Sequence, residues 1–326
     1  MHSPLSQKRS IALIGLGNQG REHLEAVRRT RLPLCLVSAI DAGGLPWDVV
    51  LPEGCQPGKS HEEIPAEVTA VIIATPPKSY AALVPPLLAA GKHILVEKPL
   101  GLNLSEALEF ARLADQAERV LMPALQRRFH AAYQSWPHWR DRLGEILEAE
   151  ITLKIKHEGE GWRAHLDTAG GGTLFDLGFH AIDLSQQLFG DLHLRSATFF
   201  DRENNPEHSG FDFKADLLLE TEMFRPVRIL TERAAPEKFE QLRVRGSEGM
   251  LSMTRSATVF TPTGGSPVTE SYRADWTEAM EKQLESWLGA IDDLEQNRPE
   301  PLTPLPVWNG ATAMRLMEEA YAKGRF

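Results

Sequence analysis

The sequence predicts an α/β protein with an N-terminal doubly wound parallel sheet and a C-terminal α+β domain with an open, largely antiparallel sheet. Up to residue 125, short uninterrupted apolar runs alternate with helical segments, as in parallel strands that are buried on both faces. From residue 126 onward, apolar and polar residues alternate instead, as in strands with one solvated face. The 326 residues are enough for two domains.

The first part contains five predicted strands with helices between them. The strands are predicted at 11–14, 34–40, 68–74, 94–96 and 120–125, and the helices at 18–30, 78–90 and 105–118. Pro85 and Pro86 predict a kink or break in the second helix, because proline lacks the backbone N–H that a helix interior uses. Asn103 followed by Glu106 predicts a capping box at the start of the third helix. We assign residues 1–125 to this first domain.

The second part contains strands that are not separated by long helices. They are predicted at 151–155, 194–200, 211–220, 227–232, 239–245, 249–253 and 258–261. Helices are predicted at 172–189, 277–295 and 310–323. We assign 126–305 to an α+β domain for substrate binding and oligomerisation, and 306–326 to a C-terminal helix that can pack back on the first domain.

Charge and composition exclude several classes of partner. The formal net charge of −10 repels phosphate backbones and anionic lipids, so we expect neither nucleic acid nor membrane as a partner. The N-terminus lacks the apolar core of a secretory signal, and no apolar run is long enough to span a bilayer. The two cysteines form neither a disulfide framework nor a zinc pattern, so we expect a cytoplasmic protein without a metal site.

A glycine motif follows the first predicted strand and opens a helix. The hexapeptide Gly15-Leu16-Gly17-Asn18-Gln19-Gly20 matches the G-x-G-x-x-G pattern of Rossmann domains that bind dinucleotides. Gly15 suits the tight turn, Gly17 lets the backbone approach the pyrophosphate, and Gly20 lets the helix pack close to the sheet. The amides at the start of the helix then face the phosphates.

Asp41 ends the second predicted strand, where a carboxylate accepts hydrogen bonds from the hydroxyls of the adenine ribose. The same charge repels the 2′-phosphate of NADP, and Ala42-Gly43-Gly44 supplies no cation to bind it. We therefore expect NAD rather than NADP. The alternative is an ordinary glycine-rich turn with a merely solvated Asp41.

Lys98 follows the strand at 94–96, within Glu97-Lys98-Pro99. Ligands of doubly wound sheets bind beyond the carboxyl ends of the strands, so the Lys98 ammonium is a candidate to polarise a substrate oxygen. The alternative, a surface lysine paired with Glu97, stays open at this point.

Asp176 and His180 lie four residues apart on the predicted helix 172–189, which puts them on one face. The rest of that helix is apolar nearly all round and is therefore expected to be buried. Buried ionisable groups need partners and are often functional. The alternative is a core histidine satisfied by its helix neighbour. Metal ligation is disfavoured, because His157 and His165 lie on a separate segment.

Several motifs together resemble the glucose–fructose oxidoreductase / inositol dehydrogenase family over nearly the whole chain. The segments that carry the resemblance are Ile14-Gly15-Leu16-Gly17-Asn18-Gln19-Gly20, Ala74-Thr75-Pro76-Pro77, Gly91-Lys92-His93-Ile94-Leu95-Val96-Glu97-Lys98-Pro99, Gln126-Arg127-Arg128-Phe129 and the stretch from Gly170 to Leu184. The Glu-Lys-Pro triplet combined with the Asp-x-Gly-x-His stretch is the specific part. The resemblance implies an NAD(P)-dependent oxidoreductase that acts on a sugar-like substrate and forms a homodimer or homotetramer.

The resemblance also implies roles for individual residues. Lys98 matches the catalytic lysine of the family, His180 its acid/base, and Asp176 the carboxylate that orients this histidine. Thr75, Pro76, Glu97 and Lys98 match positions that contact the cofactor. Tyr80 stands where the family often has histidine, which leaves one contact beside the nicotinamide in question.

On the substrate side, the resemblance implies contacts from Trp162 and Arg163, from Arg128, and from Asp176 and His180. Some members of the family are regulators that bind a dinucleotide without catalysis, and this remains one alternative function. A dehydrogenase or reductase of a diol or bilin is another. In the oxidation direction we expect His180 to remove a hydroxyl proton while Lys98 stabilises the developing alkoxide.

Overall fold

The computed structural model describes residues 8–156, 161–200, 211–297 and 307–325. The chain forms two compact units. The first contains Met1–Leu125 and Thr277–Ala311, and the second contains Gln126–Trp276 and Thr312–Phe326. This division differs from the domains drawn from the sequence, which placed 277–305 with the second domain and kept 306–326 apart.

The strands of the described chain form one six-stranded and one eight-stranded sheet. They are β1 (Arg9–Ile14), β2 (Leu34–Ile40), β3 (Gln56–Gly58), β4 (Ala70–Ile73), β5 (His93–Glu97), β6 (Leu121–Ala124), β7 (Ile146–Lys154), β8 (Leu192–Phe200), β9 (Lys214–Thr221), β10 (Pro226–Glu232), β11 (Phe239–Gly246), β12 (Gly249–Met253), β13 (Ala257–Pro262) and β14 (Val268–Ser271).

The α-helices of the described residues, in chain order, are α1 (Asn18–Arg29), α2 (Tyr80–Ala89), α3 (Leu104–Ala117), α4 (Ala131–Gln134), α5 (Trp136–Arg140), α6 (Leu166–Ala169), α7 (Phe179–Phe189), α8 (Thr277–Glu295) and α9 (Val307–Lys323). Short 3-10 turns lie at His61–Glu63, Pro77–Ser79, Gln126–Phe129 and Gly161–Ala164, and a π-helical turn lies at Leu174–Gly178.

The first sheet is parallel throughout, with the strand order β3-β2-β1-β4-β5-β6. Every residue of β4, β5 and β6 is buried, which explains why their sequences are apolar apart from His93 and Glu97 at the two ends of β5. The strand order reverses direction between β1 and β4. Ligands of such sheets bind at this reversal, beyond the carboxyl ends of the strands. The predicted α/β class and the doubly wound sheet are confirmed.

Helix α8 belongs to the first unit because charged groups tie it to the first sheet. The guanidinium of Arg9, on β1, donates to Asp292 over 2.6 Å and to Glu295 over 2.6 Å. His93, on β5, lies 3.3 Å from Glu295 through Nε2, and its burial lowers its pKa to about 4. A helix far along the sequence therefore completes the charge pairing of the first strand.

Two local expectations need correction. Helix α2 is continuous from Tyr80 to Ala89, so of the predicted kink or break at Pro85 and Pro86 the break is wrong and the kink stays a prediction. The N-terminus of α3 is capped by Asn103, whose side chain accepts from the backbone N–H of Glu106. The Glu106 carboxylate accepts instead from the N–H of Leu102, so the capping box is not closed on Asn103 itself.

The second sheet has the strand order β14-β13-β12-β11-β7-β10-β9-β8. All neighbouring pairs are antiparallel except β7 with β10, so the predicted open, largely antiparallel sheet is confirmed. Within the described ranges, no helix combines the length and the apolar character that crossing a bilayer requires.

The helix predicted over 172–189 is not uniform. Its first part, Leu174–Gly178, is a π-helical turn that continues into α7. Asp176 lies in the π turn and His180 in the α-helix, so the four-residue spacing does not carry the regular α-helical angle assumed from the sequence. The expected burial is confirmed, because the residues from Phe179 to Ser185 are all buried.

Candidate functional site

The glycine turn between β1 and α1 forms a narrow cradle with one open side. Gly15 has a positive φ of 92°, which favours glycine. A Cβ at Gly20 would lie 1.9 Å from the carbonyl oxygen of Gly15, so only glycine lets α1 approach the turn. A Cβ at Gly17 would meet nothing within 4 Å. The turn therefore offers open space where a pyrophosphate would approach the backbone.

The next two positions of the motif start α1. Asn18 is exposed, and Gln19 is half-buried with a buried Oε1 for which the described residues supply no hydrogen-bond partner. Helix α1 has no side-chain cap at Gly17 and no acidic residue in its first turn. Its N-terminal amides and positive potential can therefore receive an anion.

Asp41 connects the end of β2 with the glycine turn. Its Oδ2 accepts from the backbone N–H of Leu16 over 2.8 Å, and its Oδ1 accepts from that of Gly43 over 2.9 Å. The side chain is therefore not simply solvated, which contradicts the alternative considered from the sequence. It holds the glycine turn in place while its carboxylate stays half-buried at the edge where a ribose would lie.

A cation that the sequence reasoning missed lies near this edge. A Cβ at Gly44 would come within 3.5 Å of Cε of Lys59, a residue just beyond β3. Hydrogen bonds from the backbone N–H groups of Lys59 and Ser60, and to a smaller extent the charge of Lys59, lower the pKa of the Glu63 carboxyl. Lys59 therefore has an acidic neighbour of its own.

Tyr80 is buried between the carboxyl ends of two strands. Its ring has 0% exposure, and its hydroxyl donates to the carbonyl oxygen of Glu97 over 2.8 Å. The same hydroxyl lies 3.1 Å from the carbonyl oxygen of Thr75. These bonds give Tyr80 a structural role, and its contact with the cofactor stays a prediction. Tyr80 joins the carboxyl ends of β4 and β5.

Thr75 and Pro76 follow β4 and are half-buried. The Thr75 hydroxyl is 2.7 Å from that of Ser79, which donates to the carbonyl oxygen of Pro76 over 2.8 Å. These bonds fix the backbone of the segment that leads into Tyr80. The Ala74-Thr75 segment also packs on the glycine turn, since a Cβ at Gly15 would lie 2.8 Å from the Ala74 carbonyl.

Lys98 follows β5 at the same edge of the sheet and is half-buried. The preceding Glu97 is buried, and its Oε1 lies 2.9 Å from Nε2 of His23 on α1. Glu97 is therefore not the exposed partner of Lys98 that the alternative drawn from the sequence requires. The first unit brings the glycine turn, Thr75 and Lys98 to the carboxyl ends of adjacent strands.

In the second unit, Asp176 lies between two arginines. Its Oδ2 accepts from Nη2 of Arg233 over 3.1 Å and lies 3.9 Å from Nε of Arg163. The Arg163 guanidinium stacks over the Trp162 ring, with 4.2 Å between Cζ and the ring centroid. Trp162, Arg163 and Asp176 are thus brought together, as their common assignment to the substrate side requires. Arg233, just after β10, was not found from the sequence.

His180 lies near the start of α7 and is 6% exposed. Asp183, one turn later, receives a bidentate ion pair from Arg128, with Nε to Oδ2 at 2.8 Å and Nη2 to Oδ1 at 2.5 Å. Arg128 therefore holds the 3-10 turn Gln126–Phe129 against α7. The predicted bond between Asp176 and His180 stays a prediction.

A buried aspartate anchors the π turn that carries Asp176. The Asp212 carboxylate accepts from the N–H of Gly172 and of Leu174 and from the hydroxyl of Tyr321, over 3.1, 2.7 and 2.8 Å. Burial raises the pKa of Asp212 to about 6. A Cβ at Gly172 would lie 2.3 Å from Asp212, so the glycines before the helix serve close packing here.

Nothing in the described residues forms a metal centre. No group of three histidine, cysteine, aspartate or glutamate side chains is arranged there to hold an ion. His165 is exposed, and His157 lies outside the described residues.

Both halves of the chain match models of one protein family. Residues 9–125 match the oxidoreductase family with an NAD-binding Rossmann fold, and residues 140–252 match the GFO/IDH/MocA C-terminal domain. The chain belongs to the GFO/IDH/MocA oxidoreductase family. The resemblance stated from the sequence motifs is confirmed, and the open glycine turn of this family member fits a dinucleotide.

Known proteins of similar length extend the match. Inositol 2-dehydrogenase from Rhizobium meliloti (strain 1021) is 24% identical over 295 residues, covering 86% of this chain and 88% of the relative. A 3-ketoreductase from Actinomadura kijaniata, solved with NADP and TDP-benzene, has a TM-score of 0.82 at 19% identity and 98% coverage of both chains. Levoglucosan dehydrogenase, solved with NADH, has a TM-score of 0.80 at 18% identity and 97% coverage of both chains. These structural similarities support the fold.

Sequence reasoning missed the residues that hold the site residues in place. Asp212, Tyr321 and Arg233 are separated from their partners by 38 or more positions, and no local pattern marks them. The sequence does mark the pair of His23 and Glu97. His23 is a polar residue within the helix that follows the glycine motif, and Glu97 precedes the candidate lysine.

Proposed function

We propose that this protein is an NAD-dependent oxidoreductase that transfers a hydride between the nicotinamide and a hydroxyl-bearing or keto carbon of a sugar-like or polyol substrate. Its strongest support is the position of Lys98, at the carboxyl end of β5 and at the same sheet edge as the open glycine turn. The names of the relatives agree, since they describe dehydrogenases of inositol and levoglucosan and a ketoreductase.

In the proposed oxidation, the O–H and C–H bonds of one substrate carbinol break and a C=O bond forms. Bound NAD supplies the hydride acceptor at C4 of its nicotinamide. His180 accepts the hydroxyl proton as the general base, and the Lys98 ammonium donates to the oxygen and stabilises the developing alkoxide. Ketone reduction uses the same groups in the opposite direction.

Asp176 has a positioning role in this proposal. Its carboxylate is shared between Arg163 and Arg233, and it belongs to the π turn directly before the helix of His180. A fixed negative charge beside an imidazole favours the imidazolium that forms when His180 takes the proton. Trp162 and Arg128, which pack around this region, are proposed to line the substrate side.

The proposed preference for NAD over NADP rests on Asp41. Its carboxylate is fixed by Leu16 and Gly43 at the end of β2, where the adenine ribose of a bound dinucleotide would lie. A 2′-phosphate there would meet a negative charge. Lys59 is the nearby cation that could offset this repulsion, but Glu63 already lies beside it.

The test is a substrate screen with the purified protein that follows nicotinamide absorbance at 340 nm. The panel contains inositols, aldoses, anhydrosugars and keto sugars, together with diols, each with NAD(H) and NADP(H). Turnover of polyhydroxylated compounds with NAD(H) supports the proposal. Turnover of diols alone, or NADH binding with no turnover of any compound, would instead indicate one of the alternatives, a non-sugar dehydrogenase or a regulator. A homo-oligomer and a cytoplasmic location remain predictions.

A further inference from the structure

We propose that Trp47 stacks on the adenine ring of the bound dinucleotide and thereby contributes to cofactor affinity. This inference rests on the proposed NAD site and adds a residue to it. Trp47 lies in the connection from β2 to β3, residues 41–55, which contains turns but no helix. The residue is 98% exposed. An aromatic ring that is this exposed on the surface of the first unit is a candidate to bind a flat ligand.

The connection is fixed to α1 beside the glycine turn. Arg21 donates through Nη1 and Nη2 to the two carboxylate oxygens of Asp48, over 2.5 and 2.9 Å. Nε of the same arginine donates to the carbonyl oxygen of Leu16 over 3.2 Å. One guanidinium therefore links the residue after Trp47 to the turn that would receive the pyrophosphate.

Three further hydrogen bonds fix the connection before and after Trp47. Arg28 donates to the carbonyl oxygen of Val50, which holds the later part against α1. Asp41, at the start of the connection, accepts from Leu16 and from Gly43. The segment that carries Trp47 is thus fixed before it through Asp41, and after it by Arg21 in the first turn of α1 and by Arg28 in the last turn.

This position agrees with the chemistry of adenosine. A ribose bound at Asp41 carries its base one glycosidic bond away, and adenine presents two flat faces of an extended π-system. Tryptophan is the side chain that stacks best on such a face without reading its edges. The bidentate Arg21–Asp48 pair fixes the backbone directly after Trp47, and Leu45 and Val50 of the same connection are also exposed.

The experiment measures ADP-ribose binding by tryptophan fluorescence in the full chain. ADP-ribose contains the adenosine half of the cofactor and no nicotinamide, so it does not depend on the chemistry at Lys98. Wild type, Trp47→Phe, Trp47→Ala and the control Val50→Ala are titrated, and NADH is titrated in parallel by its own emission. Val50 is also exposed in the same connection, and only its backbone is bonded to Arg28.

We expect Trp47→Ala to weaken ADP-ribose and NADH about 5-fold to 100-fold, as loss of one base-stacking platform does. Trp47→Phe should recover most of the loss, and Val50→Ala should bind as wild type. The difference between the wild-type and Trp47→Phe emission spectra should show quenching of one indole on adding ADP-ribose.

Two results would overturn the inference. One is Trp47→Ala binding ADP-ribose within 2-fold of wild type, roughly the scatter of such titrations. The other is a changed oligomeric state of Trp47→Ala by sedimentation with unchanged nucleotide affinity, which would assign the indole to an interface between copies. Failure of the proposed function is distinguishable, because it would appear as no turnover, or no NADH binding, in the wild type.

Discussion

Arg233 and Asp176 form an ion pair of 3.1 Å in which only 3% of the arginine side chain and 15% of the aspartate side chain are exposed. The pair joins the end of β10 to the π turn before α7. Two charges placed this deep depend on each other, because each would otherwise be desolvated without compensation. This ion pair fixes the π turn that leads into α7, the helix that carries the proposed acid/base His180.

Replacing Arg233 by methionine should therefore destabilise the protein and disturb catalysis together. We expect a loss of about 2 kcal/mol in the free energy of unfolding, below the roughly 3–5 kcal/mol of a fully buried broken pair, because Arg163 stays near Asp176. Urea denaturation measures it, with Arg243→Met on the exposed face of β11 as the control. A variant as stable as that control would contradict the assigned role.

Replacing Lys98 by methionine should remove most turnover and leave NADH binding intact. The methionine keeps the length of the side chain and loses the charge that is proposed to stabilise the alkoxide, so kcat should fall by about 10²–10³. Stopped-flow absorbance gives kcat, and NADH fluorescence gives the dissociation constant. Lys282→Met, on the exposed face of α8, is the matched control. Near-normal turnover of Lys98→Met would refute the proposed role.

Replacing His180 by asparagine should lower kcat by about 10²–10⁴, the usual contribution of general acid–base catalysis. The reason is the loss of the group that exchanges the hydroxyl proton, so the acidic limb of the pH–rate profile should flatten as well. The profile is measured from pH 5 to 9 in wild type, His180→Asn and the exposed control His193→Asn. An unchanged acidic limb in His180→Asn would assign the proton transfer to another group.

Replacing Asp41 by serine should shift cofactor selection toward NADPH. The variant loses the charge that repels a 2′-phosphate, while Lys59 remains nearby, so the ratio of the NADPH to the NADH dissociation constant should fall by about 10-fold or more. Fluorescence titration of both cofactors measures the ratio. The double variant with Lys59→Gln should lose part of this gain. A ratio that does not move would show that Asp41 serves only to hold the glycine turn.

Asp212 should make stability depend on pH in the mildly acidic range. Its pKa in the folded protein is raised to about 6 from an ordinary 3.8, because burial penalises the carboxylate. A raised pKa contributes stability that is fully present below 3.8 and is lost as the pH rises through about 6. Wild type should therefore gain about 1 kcal/mol relative to Asp212→Asn between pH 7.5 and pH 5. Urea denaturation at both pH values measures it.

The exposed Asp191→Asn serves as the control for this measurement and should follow wild type at both pH values. If the gap between wild type and Asp212→Asn is the same at pH 7.5 and pH 5, the carboxyl does not take up its proton in this range. Tyr321→Phe provides a second check, because it removes the hydroxyl that donates to Asp212 and should raise the pKa of that carboxyl further.

The buried strands of the first sheet could be read from the sequence because their environment is uniform. Strand β2 has the predicted bounds, since a strand covered on both faces needs a continuous apolar run. Strand β3 could not be predicted, because Gln56–Gly58 contains no apolar signal and pairs only with the end of β2. Strand β14, Val268–Ser271, is exposed along its whole length, so its sequence likewise lacks the apolar pattern of a buried strand.

In the candidate site, too, local motifs could be predicted from the sequence and contacts between distant residues could not. The glycine turn and Asp41 could be found because the dinucleotide motif is local in sequence and each residue type follows from backbone geometry. The π turn at Leu174–Gly178 could not, because the Asp212 carboxylate that holds its first amides is 38 positions from Leu174. The burial of Tyr80 could not be predicted either, because a family position does not tell whether a ring faces the cleft or the core.

The ion pair of Arg9 with Asp292 has a consequence for synthesis of the chain. The two residues are separated by 283 positions, so the ribosome makes the first strand long before the helix that neutralises its arginine. Until α8 is made, water rather than Asp292 solvates the guanidinium of Arg9. We expect a fragment that ends at residue 125 to lack this pairing, and a fragment that also contains 277–311 to regain it.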